Sequence, residues 1–281
     1  MDVPGFTGSE DGLVVPARWD RGTRPRKRPS SYQYLLDLDG DLADEFDVRM
    51  RVVARTAVAA VTFEVDAGEL PVAEWLAATA HGPGLLVLDG TVAVSVQVGD
   101  RIATELVGGG DLLQPRPADE DALITADVEW RALTPSRFAL LDAAFAQRVQ
   151  PWPQITNALL RRAARRAHNL DVQRAIASQP RLEVRLALLL WHLAARWGKV
   201  EPGGIRLCLP LTHQLLGRLV GAERPSVSHA LARLAQAELV TGHGHEWHLH
   251  GTLEDQLATM IDPGAGRVDR LVARLASGTP R

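Results

Sequence analysis

The chain has 281 residues, 46% of them hydrophobic, which is enough for about two domains with substantial cores. Its formal net charge of −3 excludes a uniformly basic nucleic-acid binder, so any nucleic-acid contact has to come from a local motif. The single cysteine, Cys208, excludes an internal disulfide and a cysteine-held metal cluster. The longest apolar run, residues 186–193, is too short to cross a bilayer. We therefore expect a soluble, cytoplasmic protein with no membrane partner and a buried Cys208.

Residues 1–30 mix glycine, proline and charged residues without apolar periodicity, which predicts a disordered tail. The tail ends in a basic run over residues 21–28. Two interpretations stay open: a solvated arm without a specific role, or an arm that is attracted non-specifically to DNA phosphates.

The region from residue 57 to 141 has the pattern of short β-strands. Two apolar runs flank Asp89-Gly90, which predicts a β-hairpin, and further turns are predicted at residues 98–100 and 108–111. Short strands at regular spacing are typical of an antiparallel β-barrel or jelly roll. We assign this barrel to residues 31–150.

A long helix is predicted over residues 154–178, and a more apolar, buried helix over residues 182–197. The long helix carries a narrow apolar stripe made of Ile155, Leu159, Ala163, Ala167 and Leu170. Such a stripe between two domains is typical of a helix that pairs with its own copy, so residues 151–180 are predicted to form a dimerisation helix. The alternative is a helix packed on its own domain.

Residues 209–234 have the pattern of two short helices joined by a tight turn. Thr212 is a favourable N-cap, Gly221 suits the left-handed position that ends a helix, and Pro225 falls in the first turn of the second helix. The pattern predicts a helix-turn-helix, whose second helix can enter a major groove if its outer side chains are polar. The polar residues left for that outer edge are Ser226, Ser228, His229 and Arg233.

A glycine-rich turn and an alternating segment follow, which predict a β-hairpin wing with Trp247 and Leu249 on one face. Residues 181–255 are therefore predicted to form a winged helix-turn-helix, and residues 256–281 a C-terminal extension. The wing is rich in imidazoles, from His243, His245, His248 and His250. These side chains suit either a zinc site or a position near phosphates or solvent, and the second interpretation is favoured.

Residues 221–231, GAERPSVSHAL, resemble the recognition segment of the Crp/Fnr superfamily of regulators, and the order of elements over residues 35–253 is similar too. The resemblance implies an α+β fold, with an N-terminal cyclic-nucleotide-binding-like β-roll, a long dimerisation helix and a C-terminal winged helix-turn-helix. It also implies a homodimer that binds a two-fold-symmetric operator.

The resemblance implies roles for particular residues of the helix-turn-helix. Thr212 matches a helix-capping threonine that touches phosphate, Gln214 lies on the same helix end, and Arg224 matches an arginine that reads guanine. Pro225 stands where many members have a base-reading glutamate, and His229 where they have an arginine, so the operator is expected to differ from the usual one. The full set of expected DNA-binding residues is Thr212, His213, Gln214, Arg224, Ser226, Ser228, His229 and Arg233.

The effector pocket departs from that of the cyclic-nucleotide members, which hold the ligand phosphate with a Gly-Glu pair and an arginine followed by serine or threonine. In residues 110–122 the only arginine, Arg116, lies between prolines, and Asp119, Glu120 and Asp121 would repel a phosphate. We therefore predict an effector other than cyclic AMP, either an unknown small molecule or none, and we expect no cofactor.

The sequence carries no nucleophile motif or Walker loop, so we do not expect an enzyme. The favoured hypothesis is a regulator whose partners are double-stranded DNA and a second copy, with RNA polymerase as a further candidate. The alternative is a ligand sensor or adaptor that acts through protein–protein contacts with a degenerate helix-turn-helix, because the charges of residues 209–250 nearly balance.

Overall fold

The computed structural model describes residues 31–115 and 123–260. The predicted tail, the segment with Arg116, Asp119, Glu120 and Asp121, and residues 261–281 of the predicted C-terminal extension lie outside the described residues. Within the described ranges, no helix combines the length and the apolar character that a membrane span requires.

The N-terminal half is a β-roll with four short helices. Its elements, in chain order, are β1 (Ser31–Tyr34), α1 (Leu35–Leu38), α2 (Gly40–Ala43), α3 (Val48–Ala54), β2 (Ala59–Val65), β3 (Gly68–Glu69), α4 (Val72–Thr79), β4 (Gly84–Asp89), β5 (Thr91–Val98), β6 (Arg101–Gly108), β7 (Leu112–Leu113), β8 (Asp127–Ala132) and β9 (Ser136–Leu141). The strands form two antiparallel sheets with the orders β1-β2-β9-β4-β7 and β3-β8-β5-β6. The prediction of an α+β chain with antiparallel sheets in this half is confirmed.

The two sheets enclose an aromatic core. The rings of Phe63 and Phe138 stack with their centroids 5.6 Å apart, and Trp75 lies against both of them and against Trp130. Phe63, Phe138 and Trp130 alternate with outward-facing residues along their strands, as expected when each sheet buries one face, and Trp75 comes from helix α4. The protein's own side chains therefore fill the interior of the roll around these four aromatic residues.

The hairpin predicted at Asp89-Gly90 is wrong, because β4 and β5 belong to different sheets. Gly90 instead forms a corner, with φ +92°, and a Cβ atom there would lie 2.3 Å from the hydroxyl oxygen of Ser136. The chain can turn from one sheet to the other only because this residue has no side chain. The turn at Gly99 does join a true hairpin, between β5 and β6, as predicted.

The C-terminal half begins with helices. Its elements are α5 (Ala143–Val149), α6 (Pro153–Ala177), α7 (Leu182–Trp197), β10 (Gly198–Glu201), β11 (Gly204–Leu207), α8 (His213–Val220), α9 (Arg224–Gln236), β12 (Val240–His243), β13 (Glu246–His250) and α10 (Leu253–Met260). The long helix, the buried helix and the hairpin that forms the wing were all predicted. The β10–β11 hairpin was not predicted, although Pro202-Gly203 is a turn signal.

Helix α6 packs its first turns on its own β-roll. Ile155 and Leu159 are 0% and 5% exposed and belong to the core of the roll, so neither can contact a second copy. The alternative interpretation, a helix packed on its own domain, therefore holds for these two members of the predicted stripe, whereas Leu170 is half-buried. Apolar residues on the solvent-facing side of α6 include Leu160, Ala163, Ala164 and Ala167, which are called the α6 stripe below.

The outer face of the second sheet packs on the C-terminal domain. Ala93 of β5 belongs to the core that α7, α8 and α9 build with the sheet β10-β11-β13-β12. Arg218 of α8 is half-buried, and its burial lowers its pKa, while the nearby charge of Glu129 opposes that shift and that of Arg131 adds to it. Arg218 is therefore part of the contact between the two halves.

Polar side chains fix the same contact. The amide nitrogen of Gln173 on α6 donates to the carbonyl oxygen of Thr104 on β6, at 2.6 Å, and to that of Leu219 on α8, at 3.0 Å. On the other side, Arg196 of α7 donates to a carboxylate oxygen of the buried Asp111 at 2.6 Å. Helix α8 thus has a defined position on the roll.

Candidate nucleic-acid interface

The N-terminus of α8 is capped as the sequence predicts. The hydroxyl oxygen of Thr212 accepts a hydrogen bond from the backbone N–H of Leu215 at 3.1 Å. Thr212 and Gln214 are exposed at this helix end, where unpaired backbone N–H groups and the helix dipole favour an anion. The helix buries Leu215, Leu216, Leu219 and Val220 on its other side.

The turn between α8 and α9 depends on two glycines. Gly221 takes the left-handed conformation, with φ +67°, and its N–H donates to the carbonyl of Gly217, as does the N–H of Ala222. A Cβ atom on Gly217 would lie 2.3 Å from the carbonyl oxygen of Ala222, so only glycine permits this close approach. The sequence predicted the role of Gly221 but missed that of Gly217, whose signal was a glycine inside an otherwise helical pattern.

Helix α9 has one buried face and one exposed polar edge. Val227, Ala230, Leu231 and Leu234 pack in the C-terminal core, which matches the face predicted from their spacing. Arg224, Ser226, His229 and Arg233 are exposed, together with Pro225 in the first turn. These expected site residues all lie on the exposed side of α9, called its polar edge here, although Arg224 and Ser226 are about 200° apart around the helix axis.

Two expected DNA-binding residues, His213 on α8 and Ser228 on α9, instead contact each other. The Nδ1 atom of His213 lies 2.8 Å from the hydroxyl oxygen of Ser228, and that hydroxyl also donates to the carbonyl of Arg224 at 3.1 Å. Both side chains are half-buried. Their polar atoms fix α8 against α9, so they position the exposed edge.

Two carboxylates lie close to the polar edge. Glu183, in the first turn of α7, forms an ion pair with Arg233. Glu223, which immediately precedes α9, pairs with Arg101, the first residue of β6, at 3.1 Å. Both carboxylates lower the local positive charge, and Glu223 does so directly beside Arg224.

The wing follows the predicted alternation, with Trp247 and Leu249 buried on one face of β13. On the other face the His250 ring lies 2.7 Å from the hydroxyl of Thr241, and His248 lies 3.6 Å from the carboxylate of Glu246. Among the side chains that the structure describes, no group of three or more potential ligands is placed to hold a metal ion. The side chain of His243 lies outside that part.

Cys208 is exposed, which contradicts the prediction that it is buried. It follows β11 at the point where the chain leaves the sheet, and its sulfur lies 3.7 Å from a guanidinium nitrogen of Arg206. The neighbours Leu207 and Leu209 are buried, so the alternation of an extended segment turns the side chain between them outward.

The fold and the exposed polar edge of α9 define a protein with an N-terminal β-roll and a C-terminal winged helix-turn-helix. Residues 184–252 match the model of the Crp-like helix-turn-helix domain. Over 132 residues, 47% of this chain, the sequence is 33% identical to the "CRP-like cAMP-activated global transcriptional regulator" of Mycobacterium tuberculosis. That match covers 56% of the relative, so the chain spans about half the length of the curated protein that it matches.

Solved structures share the fold at low identity. A cyclic nucleotide-binding domain containing protein from Listeria monocytogenes EGD-e superposes with a TM-score of 0.53 at 14% identity, over 67% of this chain and 88% of that one. FixK2 from Bradyrhizobium japonicum superposes with a TM-score of 0.51 at 15% identity, over 73% of this chain and 99% of that one. The chain therefore shares the fold of these structures, and residues 184–252 are similar to the Crp-like helix-turn-helix domain.

Proposed function

We propose that the protein is a transcription regulator that binds double-stranded DNA in a sequence-specific manner as a homodimer. The observation that carries this proposal is the exposed edge of α9, where Arg224, Ser226 and His229 face solvent while the opposite face is buried in a fixed core. A helix of this kind can enter a major groove without unfolding or rearranging.

The roles of the edge residues follow from their positions. Arg224 can form two hydrogen bonds to a guanine edge, while Thr212 and Gln214, at the N-terminus of α8, suit phosphate contacts. Pro225 has no donor or acceptor in its side chain, and His229 is shorter than an arginine. The operator is therefore expected to differ from the family's usual sequence at the positions that these two residues face.

The homodimer is proposed to form along α6, with the α6 stripe of each copy facing the other. A two-fold axis along the helix pair presents two α9 helices to one side of a duplex, so half-sites should lie about one helical turn apart, roughly 34 Å. RNA polymerase is a candidate partner of the DNA-bound form.

The proposed effector is not cyclic AMP. Two arginines beside the roll that could bind a phosphate are already paired, Arg166 with Glu105 and Arg196 with the buried Asp111. Releasing either arginine for a ligand would leave a carboxylate without its partner. We expect millimolar cyclic AMP to leave DNA affinity unchanged, and a substantial rise in affinity would contradict this part of the proposal.

The test of the main proposal is a salt titration of binding to a random duplex, followed by selection of bound sequences from a random pool. DNA binding through phosphates predicts that log K falls linearly with log salt concentration. Selection should return a two-fold-symmetric site. Absence of binding even at low salt would instead favour the adaptor that acts through protein contacts.

A further inference from the structure

The N-terminal β-roll reaches the start of α9 at the tip of the β5–β6 hairpin. The side-chain amide of Gln173 bonds the carbonyl of Thr104 on β6 and that of Leu219 on α8, so strand and helix lie side by side there. From Thr104, β6 extends about 10 Å to its first residue, Arg101, at the hairpin tip. From Leu219, the chain continues through the turn of the helix-turn-helix to Glu223. The two segments meet again where Arg101 binds Glu223.

This second meeting point adjoins the proposed DNA-reading edge. The Nη1 atom of Arg101 lies 3.1 Å from a carboxylate oxygen of Glu223. Glu223 is the N-cap residue of α9, yet its side chain forms no capping hydrogen bond. The next residue is Arg224, the exposed arginine that is proposed to read guanine. The guanidinium group of Arg101 is therefore held by the residue that directly precedes Arg224.

Arg101 has hydrogen-bond donors left for a further partner. A guanidinium group has five N–H donors, and within the described part of the chain neither Nε nor Nη2 of Arg101 donates a hydrogen bond. The carboxylate of Asp100 lies 3.9 Å from Nε, which is beyond hydrogen-bonding distance. The side chains of Arg101 and Glu223 are 73% and 76% exposed, and ion pairs of such exposure are weak. An anion can therefore approach Arg101 from solvent.

Double-stranded DNA brings phosphates to this position. The major groove is about 12 Å wide, so a side chain that reaches a base edge at the start of α9 lies within several ångströms of a phosphate ridge. The planar guanidinium fork suits a phosphate, and half or more of all protein–DNA hydrogen bonds go to phosphate and sugar. We propose that Arg101 contacts a DNA phosphate beside Arg224, so that the β-roll supplies part of the DNA-binding surface. This inference rests on the proposed function and adds to it a residue outside the helix-turn-helix.

Two other roles for Arg101 make different predictions. If Arg101 only neutralises Glu223, its effect on DNA binding disappears once that carboxylate is removed. If Arg101 only links the two halves of the molecule, it acts through the position of Arg224, and its loss weakens a selected operator more than a random duplex. A phosphate contact carries no sequence information, so its loss weakens both duplexes alike.

The test is fluorescence anisotropy of the full chain on a random duplex and on a selected operator, over a range of salt concentrations. Arg101→Gln should weaken binding to both several-fold, and the slope of log K against log salt should become shallower by about 0.9 for each copy on the duplex. Arg101→Lys keeps the charge and should keep most of the slope. The matched control is Arg55→Gln, which removes another exposed arginine of the β-roll that is paired with a carboxylate and should leave the slope unchanged. An unchanged slope in Arg101→Gln would overturn the inference.

A Glu223→Gln background separates the phosphate contact from neutralisation. There, Arg101→Gln should still weaken binding and still make the salt dependence shallower. Equal binding by the single and double variants would show that Arg101 acts only through Glu223 and would reject the contact. A loss confined to the operator would reject it as well, in favour of a link between the two halves.

Ethylation interference on the selected operator locates the contact directly. Ethylation of a phosphate removes its charge, so the wild-type pattern should include one phosphate in each half-site that is missing from the Arg101→Gln pattern, while the remaining phosphates stay the same. Identical patterns would overturn the inference. A wild-type chain that binds no duplex at low salt would remove the proposed function and the inference together, whereas a wild type that binds DNA just as Arg101→Gln does would keep the function and reject the contact.

Discussion

The Nδ1 atom of His213 and the hydroxyl oxygen of Ser228 are 2.8 Å apart, and this contact joins the two helices of the helix-turn-helix. Because the serine hydroxyl donates to the carbonyl of Arg224, it accepts from His213, whose Nδ1 therefore carries a hydrogen. The contact determines where the first turn of α9 lies, and with it the position of Arg224.

Replacing Ser228 with alanine is expected to lower the free energy of unfolding by about 1 kcal/mol, because a half-buried hydrogen bond is lost. Binding to a selected operator should weaken more than binding to a random duplex, since the first turn of α9 positions Arg224. Urea unfolding and duplex titration measure the two effects. The control is Ser226→Ala on the exposed edge, which should change stability by less than about 0.5 kcal/mol. A Ser228→Ala variant of normal stability that loses only specificity would show a direct base contact.

Replacing Arg224 with alanine should cost about 1–3 kcal/mol of binding free energy on a selected operator and less on random DNA. The reason is that two hydrogen bonds to a guanine edge are lost only where the guanine is present. Fluorescence anisotropy with both duplexes measures the difference. Arg55→Ala, which removes an exposed arginine paired with Asp37 in the β-roll, should leave both affinities unchanged. Equal losses on both duplexes would mean that Arg224 only neutralises phosphate.

Replacing Glu223 with glutamine should strengthen binding to any duplex and steepen its salt dependence. The carboxylate lies beside Arg224, where it opposes the phosphates, and its exposed pair with Arg101 contributes at most about 1 kcal/mol to stability. A salt titration of both proteins gives the slopes. Glu238→Gln, just beyond the other end of α9, is the matched control and should have a smaller effect. The prediction fails if the Glu223 variant binds no more tightly than wild type.

The pKa of His192 on α7 is lowered, first by burial and then by the nearby charge of His168. The folded protein therefore favours the neutral ring, and the unfolded chain takes up the proton first as the pH falls. Stability is retained above the unfolded value of 6.5 and declines below it. Urea unfolding at pH 7.5 and pH 5.5 should show this loss, and His192→Gln should make it smaller. An identical pH dependence in the variant would assign the effect to other groups.

The helix-turn-helix could be predicted because its determinants are local. The cap at Thr212, the left-handed Gly221 and the spacing of the buried residues each act within a few positions, so the sequence is sufficient to place α8 and α9. The role of Ser228 was not evident, because its partner His213 is on another helix and a polar residue there equally suits solvent or DNA.

The β-roll was harder to predict because strand pairing is not local. The runs on either side of Gly90 have the chemistry of a hairpin, yet the two strands separate into different sheets. The apolar residues of α6 likewise showed which side of the helix is hydrophobic but not which neighbour covers it. Ile155 and Leu159 meet their own domain, whereas Ala163 and Ala167 face outward.

The side-chain amide of Gln173 is one of the contacts between the two halves of the molecule, at the end of α8. The nitrogen of Gln173 has two hydrogens, and it gives one to Thr104 in the roll and the other to Leu219 in the helix-turn-helix. Both hydrogens of the amide are therefore used, and none is left to form a replacement bond if the two halves move apart. Moving α8 away from the roll therefore costs at least one of these two bonds, so Gln173 favours the docked position of the helix-turn-helix.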